Sequence, residues 1–358
     1  MSAEIPETLN GLECRPAADE ESAQEELQAN GYTDGLPVIV PTPERVRRMV
    51  LAGGMAGELS LGQIGPLGGN ATVDLVATCA VMAGCLPDYF PVVLATARAL
   101  CDDRLDMHEV QATTHNLGPI VIVNGPARFD CGPFASGTGA LGPGHRANAT
   151  VGRAARLCLI NIGGGRPGIG DMALIGHPGK FTYCLAEAEE DSPFLPLHAR
   201  LGFRSEQSVV TLINVEAPHS VLCMITDDTE DTADRLLRQL AAAVGNPASN
   251  SAVNGAGDVV IVLNPEHARV LKKAGLELAE AKEIILKYAV NPRGRLHGRD
   301  QRGKDPGELV GLAPEQLVVL VAGGGGVYSL VAPSWGRGPH GNKHVSAEVK
   351  YGEVCEIL

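Results

Sequence analysis

The sequence predicts an α/β fold of two domains, each with a mixed sheet flanked by helices. Three observations carry this expectation. Short apolar runs at Pro119–Val123, Val259–Leu263 and Leu317–Ala322 alternate with segments of helical periodicity, as expected for strands buried on both faces. The chain has 358 residues, of which 44% are apolar, enough to fill a large core. Gly (44) and Pro (24) are abundant while aromatics make up only 4%, which places many tight turns around that core.

In chain order, residues 1–30 are rich in acids (Asp19, Glu20, Glu21, Glu25, Glu26) and read as a solvated arm or a single exposed helix. The first domain is expected over 31–204. A short strand at Asp34–Pro41 leads to Thr42-Pro43-Glu44, where Thr caps and Pro suits the first helical position, so a helix follows to Leu51. Ala71–Met82 is apolar on most sides and ends at Gly84, a residue suited to a left-handed stop. A second helix is expected from the cap Asp88 to about Cys101. The strand Pro119–Val123 then opens a Gly-rich stretch through Gly144, with Asn148 as the expected cap of a helix over Ala149–Ile160. A second Gly-rich turn (Gly163–Gly170) and the acidic segment to Asp191 complete this half. The second domain, 205–358, carries strands Val209–Val215 and Val221–Ile225 and a long amphipathic helix from Thr229 to Val244. Strand Val259–Leu263, two more helices, a basic loop over 291–304 and strand Leu317–Ala322 follow.

Charge and cysteine usage narrow the function. A formal charge of −13 with 29 Lys and Arg excludes a phosphate-backbone partner, which needs a basic face for counterion release; nucleic acid is not expected. Apolar runs are far below the roughly 18 residues a membrane-spanning helix needs, so no membrane partner is expected. Nine cysteines scattered through apolar segments, with no leader ahead of them, point to a reducing cytoplasm and to packing as their main use.

The chemistry-bearing segments are loops. Gly137–Gly142 and Gly163–Gly168 satisfy the letters of the dinucleotide fingerprint. The first, however, does not follow its strand directly and the second contains Pro167, so a nucleotide cofactor is not expected. Gly142-Pro143-Gly144-His145-Arg146-Ala147-Asn148 runs into a helix start, where free N–H groups and the helix dipole favour an anion. Gly144, His145, Arg146, Asn148 and Arg153 are the expected binding groups, and Arg153 or Arg156, one to two turns in, could hold a carboxylate or phosphate bidentately; the plain alternative is that they only turn, cap and pair. Glu187-Ala188-Glu189-Glu190-Asp191 is a run of acids preceded by His177, Lys180 and Cys184. Such runs are commonly solvated faces, but partial burial would suit Glu187 or Glu189 to acid–base work. Cys85, just before an expected helix N-terminus, is the preferred nucleophile because the dipole favours a thiolate, and Cys131 is second. The glycines after Val321, with Ser329, Ser334, Trp335, His340 and His344, read as a loop beside a substrate.

Several of these motifs carry a family resemblance. They are Thr33-Asp34-Gly35-Leu36-Pro37, Pro41-Thr42-Pro43-Glu44-Arg45-Val46, Ala80-Val81-Met82-Ala83-Gly84-Cys85 with Tyr89-Phe90-Pro91-Val92-Val93, Val123-Asn124-Gly125-Pro126, Leu141 through Ala154, Ala186 through Pro193, and Val321-Ala322-Gly323-Gly324. Together they resemble a bacterial family found in association with the UGSC (seleno)proteins, over most of the chain. The resemblance implies no settled reaction. It implies that Cys85, Asn124, Asn148, Arg153, Glu187 and Glu189 stand in functional loops. The chain departs from the pattern at Phe194-Leu195, where the family often has Trp-Glu, and it lacks the Cys-Gly-Ser-Cys or selenocysteine motif.

The expectation is a cytoplasmic enzyme for a small anionic carboxylate or phosphate, with thiol-assisted, lyase-like or sulfur-related chemistry. Cys85, Glu187, Glu189 and His145 would act on the substrate, and Asn124, Gly144, Arg146, Asn148, Arg153 and Lys180 would bind it. This requires the segments near 85, 145 and 187 to meet in one hollow. Two alternatives stay open: a metal-dependent hydrolase or hydratase with His and Glu ligands between 115 and 190, and a non-catalytic binding subunit for a thiol-bearing partner protein. The cofactor, including any divalent metal, and assembly into a homo-oligomer are left undetermined.

Overall fold

Seven consecutive buried residues, Gly118–Asn124, form the central strand of the first sheet in the computed structural model, which describes residues 8–9, 12–246, 249, 257–291 and 308–351. The fold is α/β. The strand pairs antiparallel with Val209–Val215 in a continuous register from Gly118↔Val215 to Asn124↔Val209, and parallel with Cys184–Ala186. Val345–Glu348 closes the far edge. The second sheet runs Leu317–Val321, Val259–Leu263, Tyr328–Ala332, His219–Leu222, its first pair parallel and the others antiparallel.

Alternation along each strand builds four layers. Ile120, Ile122, Leu185 and Ile213 project from the first sheet onto Val260, Val262, Val318 and Leu320 of the second, giving an apolar seam between the sheets. Their neighbours Val121, Val123, Cys184 and Leu212 face the other way, into a core with helices Val73–Ala83, Phe90–Leu100 and Arg146–Asn161. On the outer face of the second sheet, Ile261, Leu263 and Val319 pack against helices Thr229–Val244, Pro265–Lys273 and Leu278–Tyr288. The order is helix, sheet, sheet, helix. The boundary expected near residue 205 falls inside the first sheet, because Val209–Val215 lies beyond it and pairs with Gly118–Asn124. Strand pairing is a long-range choice that local composition does not reveal.

Local signals set most helix ends. Thr42 accepts from Arg45 N at the start of Pro43–Gly53, and left-handed Gly54 and Gly84 stop their helices. The acidic helix Glu20–Ala29 has no buried residue. Asp88 caps nothing: it lies in a 3-10 turn, Pro87–Tyr89, that leads into Phe90–Leu100. The strand expected over 34–41 is not part of the sheets; the segment is anchored by Ile39 N donating to Met82 O at 3.2 Å. Beyond Asn291, the basic loop expected over 291–304 lies outside the described residues.

Candidate functional site

The helix that carries most of the expected anion-binding residues starts at Arg146, three positions earlier than its predicted start at Ala149. Asn148 is therefore inside the first turn and only 2% exposed. Its Oδ1 accepts from Ala135 N at 2.8 Å, and its Nδ2 donates to the carbonyls of Ala135, Ala140 and Cys184 at 2.9, 3.0 and 3.3 Å. That accounts for the whole amide: it ties the Gly-rich loop to the sheet instead of capping the helix or holding a ligand. His145 stands at the cap position without a side-chain capping bond, after Gly144 at φ 106°. Arg146 donates to Gly84 O at 3.2 and 3.0 Å. Arg153 forms a two-pronged bridge to Asp34 with both contacts at 2.8 Å, and reaches Pro37 O at 2.8 Å. The arginines thus staple the extended segment around 34–37 and the turn after Val73–Ala83 to this helix.

Cys85 lies beside the same helix but is buried. Burial pushes its thiol up to about 12, against the opposing pull of the Thr150 hydroxyl and the charges of Arg146 and Arg153. This reverses the expected thiolate: a helix dipole acts on a thiol that keeps its water, and this one does not. Cys131 is likewise pushed up, to about 11, mainly by burial.

Glu187 and Glu189 sit elsewhere, where the strands of the two sheets end together. Asn124 Nδ2 donates to Glu187 Oε2 at 2.6 Å and to Glu189 Oε1 at 3.0 Å, and Gly125 N reaches Glu189 at 2.7 Å. Arg128 grips Glu190 with both nitrogens at 2.8 and 2.7 Å and lies 3.1 Å from Glu189. Glu187 also accepts from Leu197 N at 2.7 Å, is 4.0 Å from Arg200 and takes Val321 N of the second sheet at 3.5 Å, so one carboxylate joins both sheets. At 1% exposure, burial raises its pKa, with Arg200, Leu197 N and Asn124 opposing. Cys85 packs in the helix-side core, whereas Glu187 bonds toward the second sheet. The segments near 85 and 145 meet; the one near 187 lies across the first sheet from them. The single hollow expected from the sequence is therefore not formed by these three.

Lys180 leads to a different place. A cavity of about 660 Å3 opens between the helix Arg146–Asn161, the segment at Thr33–Gly35 and the loop 167–181. At one end Asp171, 4% exposed, accepts from Arg156 at 2.7 Å and from Lys180 at 2.8 Å. Burial lowers the Lys180 pKa while the Asp171 contact opposes the shift. Asp171 is held below its ordinary range by Lys180 and Arg156, although burial works the other way. His177 on the wall is pushed down to about 4 by burial and by the Lys180 charge, so it is neutral near pH 7. The second Gly-rich turn shapes this wall by close packing: a Cβ at Gly170 would lie 2.2 Å from Gly164 O. That packing gives Gly163–Gly170 a structural use. Asp171 is the central residue sequence reasoning passed over, and its only local signal was a lone acid following a glycine turn.

Arg156 and Lys180 share Asp171 here, and Asp34 in the lining is bridged by Arg153, which is not itself a lining residue, so the five groups together hold one cation in excess. A second cavity, of about 700 Å3 beneath Glu20–Ala29, has Arg15 and Arg45 against Asp19, Glu20 and Glu26 and so lacks that excess. His340 and His344 are engaged in anchoring their loop, bonding Asp106 at 2.9 Å and Asp258 at 2.6 Å. His115 is paired with Glu216 at 2.8 Å. Among the described residues, no three His, Cys, Asp or Glu side chains are placed to hold a metal ion, so the ligand set expected between 115 and 190 does not assemble. No described helix is long and apolar enough to cross a membrane. No family model, curated protein or solved structure matches the chain.

Proposed function

We propose that the protein is an enzyme for a small anionic molecule, taken up in the cavity between Arg156, Lys180 and His177. The observation that carries this reading is the Arg156–Asp171–Lys180 cluster in the wall of a ligand-sized cavity. Asp171 orients both cations and cancels one charge, and the other is left for the ligand. Lys180, held by Asp171 beside the ligand, is also the group placed for proton transfer, and burial lowers its pKa in that direction while Asp171 opposes the shift. A lyase-like step that moves a proton next to a substrate carboxylate fits this set better than attack by Cys85, whose thiol stays protonated.

The test uses the purified full chain. Acetate and inorganic phosphate should raise its melting temperature in a dose-dependent way, an effect lost in Lys180→Met. Incubation with a mixture of small carboxylic acids in deuterated water should place deuterium beside the carboxylate in one of them, again only with Lys180 present. Binding without exchange would reduce the reading to a binding protein, and absence of binding would overturn it.

A further inference from the structure

The distribution of polarity within this cavity says more about its ligand. Away from Arg156 and Lys180 the lining is Ile160, Pro167, Ala173, Ile175, Pro178 and Phe181. Of the remaining polar side chains, Thr33 Oγ1 donates to Gln28 and His177 Nδ1 accepts from Gly179 N at 3.2 Å, while His177 Nε2 is buried without a hydrogen-bond partner. A sugar or nucleotide would bury hydroxyls against a wall with few groups to answer them. The charge is similarly limited, since Asp171 and Asp34 offset two of the three cations Arg153, Arg156 and Lys180 and leave one uncompensated. A phosphate monoester brings about −1.5 to −2 at neutral pH and would be over-supplied with negative charge here. Near the mouth, Ile175 is 89% and Phe181 46% exposed, apolar surface that a ligand's tail would cover.

We infer that the cavity binds an amphipathic monocarboxylate, its carboxylate at Arg156 and Lys180 and its hydrocarbon tail along Ile160, Ala173, Ile175 and Phe181. This deepens the anion-site reading and rests on it. Recognition is divided, with the charged end fixing orientation and the tail supplying affinity by displacing water from the apolar wall.

Calorimetry on the full chain with acetate, butyrate, hexanoate, octanoate, octanol and inorganic phosphate separates the possibilities. Affinity is expected to rise roughly threefold per added methylene, until the cavity is filled. Octanoate should exceed both octanol and phosphate by at least about tenfold. Lys180→Met should abolish the preference for octanoate over octanol, and Phe181→Ala should shrink the octanoate-to-acetate ratio several-fold, each variant first shown folded by circular dichroism. A flat chain-length series, or phosphate binding more tightly than octanoate, overturns the inference and leaves the anion reading intact. Octanol binding as tightly as octanoate also overturns it. If no anion binds, both readings fall.

Discussion

Asn124 Nδ2 bridges Glu187 and Glu189, at 2.6 and 3.0 Å, and so keeps two acids together where both sheets end. Asn124→Asp replaces a neutral donor with a third carboxylate at a fully buried position, and should cost about 3–5 kcal/mol of stability in urea denaturation. Glu187→Gln should cost less, because burial already favours the neutral form of that side chain. The reverse ranking would mean that the acids are held by Arg128 and Arg200 alone.

Asn148, on the helix Arg146–Asn161, clamps Ala135, Ala140 and Cys184 through one side-chain amide. Asn148→Ala removes the partner of Ala135 N and a donor to the carbonyls of Ala140 and Cys184, while Ala135 O keeps Ala186 N, and should destabilise the protein by about 2–4 kcal/mol. Amide hydrogen exchange at Ala135 should accelerate in this variant. If exchange there is unchanged, the amide is not what holds the Gly-rich loop.

Removal of one cation from the cavity cluster should separate binding from stability. In Lys180→Met, Asp171 keeps Arg156 at 2.7 Å, so the fold should lose no more than about 1–2 kcal/mol. Anion affinity should fall at least about tenfold in the same variant. Unchanged affinity by calorimetry would remove Lys180 from the binding site.

His177 gives the cavity a defined pH response. Its ring titrates at 6.5 when free and at about 4 here, so between those values the unfolded chain binds a proton that the folded one does not. Stability therefore rises with pH from about 4 to 6.5 and is lost as pH falls through that window. With allowance for partial exposure, the contribution is about 1–2 kcal/mol. Raised Glu187 acts in the opposite direction, so the informative quantity is the difference in slope between wild type and His177→Gln, measured by urea titrations at pH 4.5 and 7. Equal slopes would place the titration elsewhere.

A protonated, buried thiol should be dispensable for chemistry. Cys85→Ser is expected to keep turnover within about twofold, at a stability cost of about 1–2 kcal/mol from placing a hydroxyl in an apolar site. Native protein at pH 8 should alkylate slowly at Cys85, because its thiol stays protonated up to about 12. Rapid labelling there, read by peptide mass analysis, would reinstate the thiolate.

The amino-acid sequence by itself determined the elements whose signals are local. Runs such as Val259–Leu263 specify buried strands, Thr42 and Gly84 specify helix ends, and the periodicity of Thr229–Val244 specifies an amphipathic helix. It also singled out Asn124, Glu187, Glu189 and Lys180 as unusual, and each is buried or part-buried in a polar cluster. Only the tertiary structure decided which of them meet. The sheet carrying Gly118–Asn124 takes partners from Val209–Val215 and Val345–Glu348, so the domain boundary and the faces of every strand followed from pairings across long stretches of chain. Burial of Cys85, the four bonds of Asn148 and the convergence of Arg156, Lys180 and Asp171 are products of that packing. A side chain's charge state and role depend on what surrounds it in space, and neighbours in sequence do not supply that information.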